Sequence, residues 1–353
     1  MKIVFDCERM KYPFTGLFEY CHKLGFALRA EAEPKDKVIL YLQKKDQHYF
    51  DDDFTFINQK SLHKIIFPSF SKEIILWHTT HQTSWYIPPA GRKVIRVITV
   101  HDLNFVYEEA SEKKRLKKLQ KHQQTIDKAD HIVAISEFTK KDILKHLKVT
   151  QPISVIHNGC DFEVYPDFDT PVYRPEKQFI FAIGTIIPKK NFHTLPCLLV
   201  GNEFELVIAG KENTDYVSKI VTEAKKYGVE DRVHITGPIT KEDKYWYYKN
   251  CIAFAFPSLA EGFGIPVIEA MNFGKPVFLS THTSLPEIGG DHAYYFENFD
   301  PNHMQHAFGA GMAHYNNTGP ADKIRAHAKK FSWKKCAEAH WQLYHSMVRE
   351  ASL

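Results

Sequence analysis

Short apolar runs of strand length recur along the whole chain, and each is followed by a stretch with helical spacing. In the first half the runs fall at residues 2–6, 38–42, 74–77, 94–100, 131–135 and 153–156. In the second half they fall at 179–183, 205–209, 233–235, 252–256, 276–279 and 293–296. Alternation of such strands with helices is the pattern of parallel sheets covered by helices on both faces. Two comparable sets of six predict an α/β protein with two Rossmann-like, doubly wound domains. The break falls in residues 163–178, which carry three prolines and no periodicity. A last amphipathic helix is predicted over 331–350 from the spacing of Trp333, Ala337, Trp341, Tyr344 and Met347. Two such domains facing across a cleft would bind a ligand at the carboxyl ends of their strands.

Composition narrows the class without naming it. A chain of 353 residues suits two domains, and 44% apolar with 25% charged residues is ordinary for a globular protein. The net charge of +4 does not point to nucleic acid. The six cysteines are scattered with no Cys-x-x-Cys pair, so neither a zinc site nor a disulfide framework is signalled. The N-terminus runs straight into a strand, with no apolar leader and no run of about 18 apolar residues anywhere. A cytoplasmic protein without a membrane span is expected. Aromatic residues reach 14%, which fits carbohydrate or membrane-interface contact and, better, large core side chains.

The candidate chemistry gathers in residues 257–277. Glu261 and Glu269, with seven residues between them, stand on either side of Gly262-Phe263-Gly264, the turn between an apolar strand and a helix opened by Ile265-Pro266. A glycine-rich corner at a helix N-terminus suits an anion such as phosphate. The two carboxylates would repel that anion, and are better placed to accept hydrogen bonds from hydroxyls on either side of it. Hydroxyls, phosphate, hydroxyls describes a nucleotide-sugar. The competing reading is an ordinary strand–turn–helix with two surface glutamates.

This segment resembles the E-x7-E signature of the retaining glycosyltransferases of the GT-B fold, family 4-like, which includes bacterial polysaccharide mannosyl- and glucosyltransferases. The resemblance covers nearly the whole chain. It implies an acceptor-binding domain over 1–168, a nucleotide-sugar domain over 169–335, and a C-terminal helix, 336–353, crossing back onto the first domain. It implies that Glu261 holds donor-sugar hydroxyls, that Glu269 accepts from the ribose, and that Gly262, Phe263, Gly264 and Ile265 surround the diphosphate. Gly184, Thr185, Lys189 and Lys190 match a basic donor-binding segment, in which Lys190 stabilises the leaving phosphate and Thr185 replaces the usual arginine. Gly16 stands where a glycine-rich loop approaches the donor. His101 is implied beside the reacting sugar, although a histidine capping the loop would look the same. His78, His81, Trp85 and Asp102 are acceptor-side candidates, with plain packing as the alternative.

The activity so implied is transfer of a hexose, with a lean to mannose, from a GDP- or UDP-linked sugar to a glycan or glycolipid acceptor in surface-polysaccharide or lipopolysaccharide synthesis. No cofactor, metal or nucleic acid is expected. The alternative is an inactive nucleotide-sugar-binding protein. A dinucleotide-dependent oxidoreductase is disfavoured, because CERMKYPFTG after the first strand lacks G-x-G-x-x-G. Asp51-Asp52-Asp53 resembles a metal-binding D-x-D but reads as a solvated loop. The basic run from Lys113 to His122 reads as a solvated helix face. Contact with anionic headgroups of the inner membrane, worth up to about 1 kcal/mol per cation, is the other reading. Ser136 is read as a helix N-cap and Asn158-Gly159 as a turn.

Overall fold

The computed structural model describes every residue except 14, 90, 92, 352 and 353. The chain forms two compact units, residues 1–159 with 331–353, and residues 160–330.

The first unit is built on a seven-stranded sheet: β1 (Lys2–Asp6), β2 (Lys37–Leu42), β3 (Thr55–Asn58), β4 (Ile74–Thr79), β5 (Ile95–Val100), β6 (His131–Ala134) and β7 (Ile153–Val155). Their spatial order is β3-β2-β1-β4-β5-β6-β7, all pairings parallel. β3 is an element the hydrophobic pattern does not reveal. It is a four-residue edge strand with exposed ends, so it has no continuous apolar run. The Asp51–Asp53 segment before it is exposed, and Asp51 Oδ2 accepts from Arg29 Nη2 at 2.7 Å. The helix Trp333–Glu350 packs on helix Gly16–Ala30, with Trp333, Ala337, Trp341 and Tyr344 joining Phe5, Leu24, Leu28 and Leu40 in one core. Trp341 Nε1 donates to the Leu28 carbonyl at 2.8 Å, so the buried indole N–H is satisfied. Ser136 caps helix Glu137–His146 as expected, accepting from Thr139 N at 3.0 Å. Asn158-Gly159 is not a turn: Gly159 lies in an irregular stretch, where a Cβ would strike the Trp333 backbone nitrogen at 2.2 Å. Glycine is required there for space.

The second unit carries a six-stranded parallel sheet: β8 (Phe179–Ile183), β9 (Glu205–Ala209), β10 (Val233–Gly237), β11 (Ala253–Phe256), β12 (Val277–Ser280) and β13 (Tyr294–Phe296). Its order is β10-β9-β8-β11-β12-β13. Phe181, Phe254, Phe256, Phe278, Tyr247 and Tyr248 are fully buried in this unit, so much of the aromatic surplus is core. In each sheet the strand order reverses once, between β1 and β4 and between β8 and β11. Loops at the carboxyl ends of strands flanking such a reversal diverge and leave a ligand crevice.

Candidate active site

In the second unit the reversal brings together the segments read from sequence. The loop after β8 runs through Gly184, exposed Thr185 and a 3-10 turn Pro188–Lys190. Asn191 then adopts a left-handed conformation (φ 59°), which asparagine tolerates better than most residues. The loop after β11 carries Ser258 to Gly264 into helix Ile265–Asn272. The two loops are tied by Leu259 N donating to the Lys189 carbonyl at 2.8 Å.

Lys190 Nζ lies 2.5 Å from Glu261 Oε1, and Ser258 Oγ donates to the same oxygen at 2.6 Å. The ammonium also stands 4.7 Å from the Phe256 ring centroid, a cation–π contact. Both members of the pair are mostly covered, with side-chain exposures of 12% and 14%. Gly184 faces the Lys190 stem, so a Cβ there would come within 3.2 Å of Cε. Beside the pair, Gly264 takes φ 113° at the N-cap of helix Ile265–Asn272, and a Cβ would press Leu285 at 3.0 Å. Pro266 sits in the first turn, where the first N–H groups have no partner within the helix. Phe263 is buried and its carbonyl accepts from Ser284 Oγ at 2.9 Å.

Glu269 is held differently. It is buried, its Oε1 accepts from Lys244 Nζ at 2.6 Å and its Oε2 from Tyr248 Oη at 2.9 Å. Burial, reinforced by the Glu269 charge, pushes the Tyr248 phenol well above its ordinary range. Both donors lie on helix Lys241–Asn250, one turn apart. The sequence reading missed them, and missed Thr283. Thr283 has φ 55°, a strained conformation for a β-branched residue, and its Oγ1 accepts from Glu261 N at 2.9 Å.

The first unit holds a second polar group at its own reversal. Asp6, at the end of β1, accepts from Glu8 N at 3.0 Å and from Ser84 Oγ at 3.0 Å. Burial, with Glu8 adding repulsion, raises its carboxyl to about 8. Arg9 Nε lies 3.1 Å from Glu8 Oε2. His81 Nδ1 accepts from Thr83 N at 3.1 Å and stacks on His101 at 5.7 Å. His101 Nε2 faces the Thr80 carbonyl at 2.8 Å, so that nitrogen carries the proton, and burial lowers the imidazole to about 4. Asp102 Oδ1 accepts from Asn104 N at 3.0 Å. Gly16 is exposed at the start of its helix, and Trp85 is exposed.

His78 does not line a pocket. β4 runs two residues further than its apolar core suggests, which places His78 inside the strand and fully buried. Its Nδ1 lies 2.5 Å from Tyr344 Oη, its Nε2 2.7 Å from Thr99 Oγ1, and His340 stacks on it at 5.3 Å. Among the described residues no three His, Cys, Asp or Glu side chains are arranged to hold a metal, and no helix is long and apolar enough to cross a membrane.

Residues 34–164 match the family described as Glycosyltransferase Family 4, and residues 167–311 match Glycosyl transferases group 1. The chain belongs to the family 4-like glycosyltransferases of the GT-B fold. This glycosyltransferase is 25% identical to O-antigen chain mannosyltransferase B of Escherichia coli, over 95% of its own length and 97% of that protein's. It is 30% identical to the serotype-specific mannosyltransferase WbdA of Escherichia coli over 60% of its own length, a match that spans 28% of WbdA. Sucrose-phosphate synthase of Thermosynechococcus elongatus shares the fold with a TM-score of 0.75 at 20% identity, over 99% of this glycosyltransferase and 100% of that chain.

Proposed function

We propose that this glycosyltransferase is a retaining, metal-independent hexosyltransferase that takes mannose from a nucleotide diphosphate-sugar, GDP-mannose first. Its acceptor is a glycan or lipid-linked sugar of surface-polysaccharide synthesis, met at the cytoplasmic face of the inner membrane. The observation that carries the reading is the Lys190–Glu261 pair beside the Gly264 helix start, at the strand reversal of the second sheet. As the bond from the anomeric carbon to the diphosphate breaks, negative charge builds on the phosphate and positive charge on the sugar. Lys190 and the N-terminal end of helix Ile265–Asn272 stabilise the phosphate, an electrostatic contribution already in place before the reaction. Gly184, Thr185, Lys189, Gly262, Phe263 and Ile265 complete the diphosphate surround.

Glu261 accepts from donor-sugar hydroxyls. Its two protein donors converge on Oε1, and among the described residues no partner of Oε2 is found. Glu269, oriented by Lys244 and Tyr248, accepts from the ribose. Gly16 is proposed on the donor side, His101 as a neutral catalytic imidazole, and His81, Asp102 and Trp85 on the acceptor side. His78 is left out, because its ring is committed to the core. The mannose assignment is supported by the names of the two relatives above. The test is a screen of GDP-mannose, UDP-glucose and UDP-galactose in chelator, reading melting temperature and slow release of free nucleotide. GDP-mannose should stabilise the protein and be hydrolysed, with the sugar released first as the donor's own anomer by NMR. No response to any of the three, or a response only with added magnesium, would overturn the proposal.

A further inference from the structure

At the amino ends of its strands the second unit holds a cavity of about 400 Å³, near the lower end of the roughly 300–1,000 Å³ typical of small-ligand pockets. Its wall is made by residues that lead into four strands: Gln178 before β8, Phe204 before β9, Asn250 before β11 and Lys275 before β12. Met312, Tyr315 and Asn316 of helix Pro301–Thr318 cover it. Lys190 and Glu261 follow the opposite ends of these strands, the length of five-residue β8 away, about 16 Å. The cavity is firmly framed. Tyr315 Oη donates to the Gly274 carbonyl at 2.7 Å, which ties the covering helix to the turn that carries Lys275. Gly274 has φ 69°, and a Cβ there would strike Arg325. The Phe204 ring is held edge-on by Phe308, 6.5 Å between centroids. Cys251 closes the bottom: burial pushes its thiol up to about 12, against the opposing effect of Lys275, so it stays neutral.

The polar groups on the wall are uncommitted. Among the described residues, Lys275 Nζ has no hydrogen-bond or ion-pair partner, and neither do the side-chain amides of Gln178 and Asn316. Asn250 Nδ2 donates to the Trp246 carbonyl at 2.9 Å, which leaves its Oδ1 open. No carboxylate is among the lining residues. A cation without a carboxylate beside it selects an anion, and amides offer hydroxyls both donors and acceptors. Phe204 and Met312 give apolar surface for the C–H face of a sugar ring. The volume admits one ring with its acid group. We propose that this cavity binds a monosaccharide carrying one anionic group, phosphate or carboxylate, with the acid at Lys275, the hydroxyls on Gln178, Asn250 and Asn316, and the ring against Phe204. Its occupant and a nucleotide at the Lys190–Glu261 pair do not compete, because the length of the sheet separates them.

The experiment is calorimetric titration of the full chain with mannose 6-phosphate, glucuronate, mannose and inorganic phosphate, each with and without excess GDP. At least one of the two acidic sugars should bind, about tenfold or more tighter than mannose or phosphate, with an affinity that GDP leaves unchanged. The tighter of the two identifies the acid group. Lys275→Met should weaken that binding roughly tenfold or more. Asn316→Trp, at an exposed position of the covering helix, should block the cavity. Both variants should melt like the parent. Should Lys275→Met fail to fold, Asn316→Trp must still abolish binding. The proposal is overturned if neither acidic sugar binds, if inorganic phosphate binds as tightly, if GDP displaces the sugar, or if the folded variants bind like the parent.

Discussion

Lys190 Nζ and Glu261 Oε1 meet at 2.5 Å although they are 71 residues apart, joined across two loops that leave adjacent parallel strands. The pair holds the ammonium in place, so on the proposed reading little side-chain freedom is left to lose when a phosphate binds. Lys190→Ala should reduce turnover on the order of 100- to 1,000-fold while the fold persists by circular dichroism. Turnover close to that of the parent would remove Lys190 from the chemistry.

Glu269 is clamped by Lys244 and Tyr248, one donor to each carboxylate oxygen. Glu269→Ala should weaken nucleoside diphosphate binding at least tenfold by calorimetry. Lys244→Met should weaken it less, by loosening the carboxylate without deleting it. Unchanged affinity in Glu269→Ala would rule out the ribose contact.

Gly264→Ala combines a positive φ with a 3.0 Å approach to Leu285. A destabilisation of about 1–3 kcal/mol in urea unfolding is expected, with loss of donor binding. A variant as stable as the parent would show that the corner relaxes freely.

Acid should unfold the first unit early. Burial keeps His101 and His340 down at about 4, and holds His78 and His81 below their ordinary value, so all four stay neutral in the folded chain. Unfolded, they take up protons near 6.5. The unfolded state therefore binds more protons between about 6.5 and 4, and stability falls as pH falls through that window, by up to about 1.4 kcal/mol per pH unit for each such group. Asp6, raised to about 8, acts in the opposite sense: the folded state keeps its proton, and stability declines as pH rises from the unfolded value toward 8. Four imidazoles outweigh one carboxyl below 6.5. Urea midpoints should drop steeply from pH 6.5 to 5, and Asp6→Asn should flatten the limb above 6.5. Equal midpoints at pH 7 and pH 5 would contradict this balance.

What could be read from the chain, and what could not, divides along physical lines. Strands covered on both faces are continuous apolar runs, so all but β3 stood out; β3, half exposed at a sheet edge, has no such run. Lys190 and Glu261 sit in segments with glycine and helix-start signals that announce a loop. Lys244 and Tyr248 occupy a plain helix, and which of its faces meets Glu269 is decided only by packing. The strain at Thr283 leaves no trace in local sequence. His78 misled because a polar residue after Trp77 looks like a strand end, whereas Tyr344, 266 residues away, supplies the partner that lets a histidine stay inside.

The second unit interrupts the first: the chain leaves it at residue 159 and returns at 331. On the ribosome, residues 160–330 are therefore complete and able to fold while Leu28 and His78 still await Trp341 and Tyr344. The half that was begun earliest is finished last. A nascent chain stalled before residue 333 would lack the four side chains that close this core and expose an unsealed hydrophobic face.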